Sequence, residues 1–171
     1  MPNVHGIDHI GLTVPDLEQA TQFLCNALGA EVIYDTYTLD QPPRNSEFTH
    51  RRLGIADSMA QRAIRTLGLP NGPGIELFQY EGPDQREAVT PADVGWQHLA
   101  VYVDDIEEAL RKVEEFGGKR NSDPVPLSGI EGGEGNFFVY CKTPWGSSLE
   151  LLTYPTPQPY LKTSHRAKWQ A

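Results

Sequence analysis

The chain has 171 residues, of which 39% are hydrophobic and 22% charged, enough for one domain or two small halves that share a core. Its net charge of -9 and sequence pI of about 4.9 argue against nucleic acid or anionic membrane as partners and point to a small-molecule substrate. Two cysteines, Cys25 and Cys141, make no disulfide framework.

Residues 6–14 alternate, with Ile10, Leu12 and Val14 on one face and His9, Gly11 and Thr13 on the other, the period of a half-buried strand. His9 therefore points away from the face expected to lie under a helix. Pro15 ends the strand, Asp16 is placed to cap, and Leu17, Ala20, Leu24, Ala27 and Leu28 recur at helical spacing until Gly29. Strand-like stretches follow at 31–38, 61–67 and 75–80, with a polar insertion at 39–60. Residues 82–95, rich in proline and acidic side chains, read as a linker. In the second half Leu99, Val101 and Val103 oppose His98, Ala100 and Tyr102. Asp105 then precedes a helix with Ile106, Ala109, Leu110, Val113 and Phe116 on one face, closed by Gly117 and Gly118. Strands are predicted at about 119–127, 136–142 and 149–154. The tail is assigned no fixed structure.

The two halves repeat each other. Residues 9–29 lie over 98–118 at an ungapped offset of 89, so His9 falls on His98, Val14 on Val103, Asp16 on Asp105 and Gly29 on Gly118. GIELFQYEGP at 74–83 matches SLELLTYPTP at 148–157, setting Glu76 against Glu150 and Tyr80 against Tyr154. The predicted organisation is a first βαβββ module at 1–81 with its insertion at 39–60, a linker at 82–95, a second module at 96–155 and a tail at 156–171. Strand parity puts both glutamates among aromatic neighbours, where a charge is costly unless paired or coordinated. Two His and two carboxylates at duplicate positions are a ligand set for one divalent metal: His9, Glu76, His98 and Glu150. The mixed N/O donors suit Ni, Co, Zn, Mn or Fe, with positions left for two adjacent substrate oxygens.

A duplicated unit that opens on DHIGLTVPDLEQA and closes on TPWGSSLELLTYP resembles the vicinal oxygen chelate superfamily, which includes glyoxalase I, methylmalonyl-CoA epimerase, extradiol dioxygenases, and fosfomycin- and bleomycin-resistance proteins. The resemblance covers about residues 5–155. It implies an α+β fold in which two βαβββ modules form a curled, cup-like mixed sheet around one metal site, with the four duplicated residues as its ligands. The His/Glu/His/Glu order is most similar to bacterial glyoxalase I. Two features depart from that pattern: the long 39–60 insertion, and Trp145 at a turn where an acidic residue is common. By this analogy the chain is a metal-dependent lyase or isomerase that moves a proton next to a carbonyl through a metal-stabilised enediolate or enolate, on a small anionic substrate. Glu150 is the proton shuttle, and Glu76 is a ligand and second base. The resemblance and the open sheet edges together predict a homodimer.

Phe78, Tyr102, Phe138 and Tyr140 share the inward parity of the ligands and are candidates to line the substrate pocket. Arg44, Arg51, Arg52, Arg62 and Arg65 around the insertion read either as solvated surface or as an anion-holding wall, with Arg62 the candidate for substrate contact. His50 is expected at the surface, and His5 and His165 exposed. Two other readings are an Fe(II)-dependent extradiol-type dioxygenase using three of the four ligands, and a metal-free, ligand-sequestering protein of the bleomycin-resistance type. The complete ligand set speaks against the latter. Residues 1–9 lack a basic start and an apolar run, and 18 consecutive apolar residues occur nowhere, so a cytoplasmic location without membrane anchor is expected.

Overall fold

Alternation in the first fourteen residues becomes the strand His9–Val14 (β1), and the helical periodicity after Pro15 becomes Leu17–Leu28 (α1). In this computed structural model, which describes residues 3–169, the chain divides into two units, Met1–Glu87 and Ala88–Ala171, with the division inside the stretch 82–95. The first unit continues with Glu31–Tyr37 (β2), Glu47–Leu53 (α2), Ala60–Gly68 (β3) and Gly74–Glu81 (β4). The second contains His98–Tyr102 (β5), Ile106–Glu115 (α3), Lys119–Arg120 (β6), Val125–Pro126 (β7), Phe137–Lys142 (β8) and Ser148–Thr153 (β9).

Each unit is built on a mixed sheet. The first runs β1-β4-β3-β2; the second runs β5-β9-β8-β6, with β7 also on β8. In both, the first strand lies parallel to the last and the remaining pairs are antiparallel. One face of each sheet is closed by its helix. Leu77, Ile75 and Leu67 lie buried on the α1 side with Leu17, Phe23 and Leu24, and Val139, Leu149 and Leu151 lie buried with Leu110 and Val113 of α3. Burial of each such side chain contributes roughly 1.5–3 kcal/mol. The result is an α+β architecture, and no helix among the described residues is long and apolar enough to cross a membrane.

Several expectations need correction. The insertion holds a helix, α2, capped by the Ser46 hydroxyl on the Thr49 N–H and ended by Gly54 in the left-handed region. His50 on that helix is buried rather than exposed, because its Nε2 bonds the Met59 carbonyl at 2.9 Å. The apolar face of α1 includes Phe23 in place of Leu28, which is only half-buried. Phe116 caps α3 and is 36% exposed, one position beyond the turn that packs. The stretch 119–127 is two short strands, and the gap between them contains Pro124, which has no N–H to give a continuous ladder. The tail has structure: Pro159–Lys162 form a 3-10 turn, and Gln158 is buried with its amide on the Glu131 carbonyl. The last two residues of the tail lie outside the described residues.

Candidate metal centre

In the first unit, β1 and β4 pair so that His9 stands beside Gly74 and Gly11 beside Glu76. Directly paired residues share a face, so His9 and Glu76 are diagonal neighbours, and the side chain opposite each is absent. A Cβ at Gly74 would meet the His9 Cβ at 3.3 Å, and one at Gly11 would meet the Phe78 ring at 3.6 Å. With that space open, His9 Nε2 comes to 3.3 Å from Glu76 Oε2. The second unit uses the same register: His98 beside Ser148, Ala100 beside Glu150. His98 Nε2 lies 3.2 Å from Glu150 Oε2. Within each unit no third His, Cys, Asp or Glu joins the pair to make a group of three among the described residues.

The other imidazole nitrogen decides what the pair can do. His9 Nδ1 lies 2.7 Å from Asp8 Oδ2, and His98 Nδ1 lies 3.2 Å from Gln97 Oε1. Each acceptor takes the Nδ1 hydrogen, which in a neutral ring leaves Nε2 with only its lone pair. That lone pair faces a carboxylate oxygen. Two such acceptors at this distance are stable only with a positive charge, a proton or a cation, between them. The Asp8 bond raises the His9 pKa; partial burial opposes it, and the charges of Glu76 and Asp8 add to it. A carboxylate or amide behind a ligating imidazole is the usual arrangement at metal sites, where it fixes tautomer and ring orientation. Thr66, directly across from Glu76, also buries a hydroxyl oxygen with no partner among the described residues. The donor set therefore fits a divalent cation.

The chain matches the family described as Glyoxalase/Bleomycin resistance protein/Dioxygenase superfamily over residues 6–151. It belongs to that superfamily. It is 36% identical over 163 residues, 94% of this chain and 85% of the relative, to a 2-epi-5-epi-valiolone epimerase from Actinomyces sp.. A probable lactoylglutathione lyase of Synechocystis is 26% identical, covering 84% of this chain and 92% of that one. A glyoxalase family protein of Bacillus cereus has a similar fold, with a TM-score of 0.68 at 17% identity over 89% of this chain and 95% of that one. A single-residue mutant of a genomically encoded fosfomycin resistance protein from Listeria monocytogenes, solved with Mn(II) and 1S,2S-dihydroxypropylphosphonic acid, has a TM-score of 0.60 at 16% identity, covering 94% and 99%.

For a member of this superfamily the aromatic candidates are well gathered. Tyr140 is directly across from Glu150 and Phe138 from Leu152, so both share the face of His98. The Tyr140 ring meets His98 edge-on at 5.4 Å and Phe138 at 6.0 Å, and Tyr102 meets Tyr154 at 5.1 Å. Burial pushes the Tyr140 hydroxyl up, and the Glu150 charge adds to that shift. In the first unit Phe78 stacks on Tyr80 beside Glu76. Arg62 is not brought to either pair: its Nε lies 3.2 Å from Glu81 and its Nη2 donates to the Leu39 carbonyl. Arg65 is occupied by Asp35 and Glu18.

Four residues went unread in the sequence. Asp8 and Gln97 stand one position before each His, at the same offset of 89, so extending the repeat back one residue finds them. Lys142 shares the parity of Phe138 and Tyr140, and its Nζ donates to Ser148 Oγ at 2.9 Å beside His98. Lys168, on the tail, had no periodic signal to reveal it.

Proposed function

We propose that the chain is a divalent-metal-dependent isomerase that moves a proton on a carbon next to a carbonyl, and that its reaction is an epimerisation of a small hydroxylated ketone. The observation that carries this reading is the duplicated pair: His Nε2 facing a glutamate oxygen at 3.3 and 3.2 Å, with Nδ1 held from behind in both units. His9, Glu76, His98 and Glu150 would hold one ion, the halves meeting within a chain or across a homodimer. A bound divalent cation polarises a substrate carbonyl and stabilises the charge that develops on its oxygen. Identity of 36% across nearly the whole chain to an epimerase supports epimerisation over the glutathione-linked lyase reaction.

The chain's own residues supply the proton chemistry. Glu150 is the proposed shuttle: it sits on the second sheet between Ala100 and Tyr140, only 14% exposed, with one oxygen turned to His98. In this proposal the Glu150 carboxylate takes a proton from one face of the substrate carbon, and Glu76 is the second base. Phe138, Tyr140 and Tyr102, each half-buried, are the proposed apolar lining for substrate on this face.

The test is solvent exchange. With metal-loaded protein and 2-epi-5-epi-valiolone in deuterated water, the proton next to the carbonyl should exchange at a rate proportional to enzyme. Exchange of a glutathione-linked substrate alone would move the assignment to the lyase reaction. Oxygen uptake with catechols would move it to a dioxygenase.

A further inference from the structure

The C-terminal segment lies on the site face of the second unit. The Tyr102 hydroxyl donates to the Trp169 carbonyl at 2.9 Å, with the two rings 6.4 Å apart. The Lys168 N–H donates to the Tyr160 hydroxyl at 2.9 Å. Lys168 Nζ pairs with Glu131 and sits 5.4 Å from the Tyr154 ring centroid and 5.6 Å from that of Tyr160. These contacts bring Lys168 to a cavity of about 350 Å³, whose walls include Ala100, Tyr102, Glu150, Leu152 and Tyr154. A carboxylate from the sheet and an ammonium from the tail therefore face one small cavity.

The fastening is slight. Residues 161–169 are all exposed, and a further hollow of about 470 Å³ runs along the same segment by Ile130, Ser164 and Arg166. A segment with no buried side chain, held by a few polar bonds and ring contacts, opens locally at low cost. Its charge is well supported: burial lowers the Lys168 pKa, but the Glu131 bond and the neighbouring Glu131 and tyrosine groups outweigh burial and raise it. An ammonium has three N–H donors, and Glu131 takes one, so donors remain for ligand oxygens. Tyrosine and leucine walls suit the carbon face of a ring, while Glu150 and Lys168 suit its oxygens. The volume is at the small end for ligand pockets.

We infer that residues 159–169 form a strap that closes the substrate cavity of the second unit, and that Lys168 is its substrate-binding cation, donating to hydroxyl or carbonyl oxygens of a small polyhydroxylated ketone. This inference rests on the reading that the Glu150 face is where substrate binds. The strap admits ligand when open and sets Lys168 against it when closed.

Two measurements test it, the first without any ligand. Trypsin cleavage after Arg166, followed by mass spectrometry on the metal-loaded protein, should be several-fold faster in Glu131→Gln and Tyr102→Phe, each of which loses a fastening, while the rest of the chain stays intact. Equal rates in the parent and both variants overturn the strap. The second uses proton exchange of 2-epi-5-epi-valiolone. Lys168→Met should raise KM by about tenfold or more, the loss of a charge-assisted hydrogen bond, with kcat little changed and metal content unaltered, and Lys168→Arg should restore most of it. An unchanged KM in Lys168→Met overturns the role of Lys168. If the parent leaves the compound unexchanged, it is the substrate assignment that fails, and the cleavage rates still decide the strap.

Discussion

His9 and His98 each give one ring nitrogen to the residue directly before them and turn the other toward a glutamate. If that arrangement holds an ion, Asp8→Ala, which removes the acceptor behind His9, should weaken divalent-metal affinity by about 10–100-fold, the usual cost of losing the group behind a ligating imidazole; titration with a metallochromic competitor measures it. Glu150→Gln keeps an oxygen donor but loses basicity, so metal should be retained while turnover falls by ~10²–10⁴. Solvent exchange of the substrate proton separates these effects, and a Glu150→Gln protein that exchanges at the parent rate would shift the shuttle role to Glu76. Cys141, fully buried beneath α3 with its thiol pushed up to about 11 by burial, should resist alkylation at pH 8 until the protein unfolds. The four ligand candidates were legible in the sequence because duplication marks them twice. Lys168 was not, because a tail residue reaches its place through tyrosine hydroxyls that no periodicity encodes.

At the scale of elements, the helix starts were legible because their chemistry is local. Asp16 accepts from the Gln19 N–H at 2.9 Å, and Asp105 accepts from the Glu107 and Glu108 N–H groups at 3.0 Å. Asp16→Ala and Asp105→Ala should each cost about 1 kcal/mol, a fall in Tm of roughly 2–4 °C for a chain of this size, readable by calorimetry. Gly118→Ala should cost more than either, since a Cβ there would lie 2.6 Å from Val113 Cγ1 and 2.8 Å from the Lys142 carbonyl, both in the packed interior of the second unit. A Gly118→Ala protein with unchanged Tm would contradict the close approach of α3 to β8. What escaped the sequence reading was context. α2 has seven residues, too few to show an apolar stripe, and it is recognisable only through its Ser46 cap and the burial of Thr49 and His50. The strand expected at 119–127 splits at 121–124, where Pro124 offers no donor, a local rule that apparent alternation conceals.

At the scale of the molecule, two units with the same strand order each contribute one His–Glu pair, so the function we propose depends on the duplication being used twice. β2 is an edge strand and leaves Val32, Ile33 and Tyr34 about half exposed, the kind of edge that pairs with another chain. The protein should therefore run as a dimer by light scattering at micromolar concentration; a monomeric mass would contradict this. The central claim is that both pairs serve one ion, and metal content measured by mass spectrometry on purified protein tests it most directly. About one divalent ion per chain should be bound by the parent, and His9→Ala or His98→Ala should each abolish it, although the two residues lie in different units. A His98→Ala protein that keeps full metal occupancy would contradict the account.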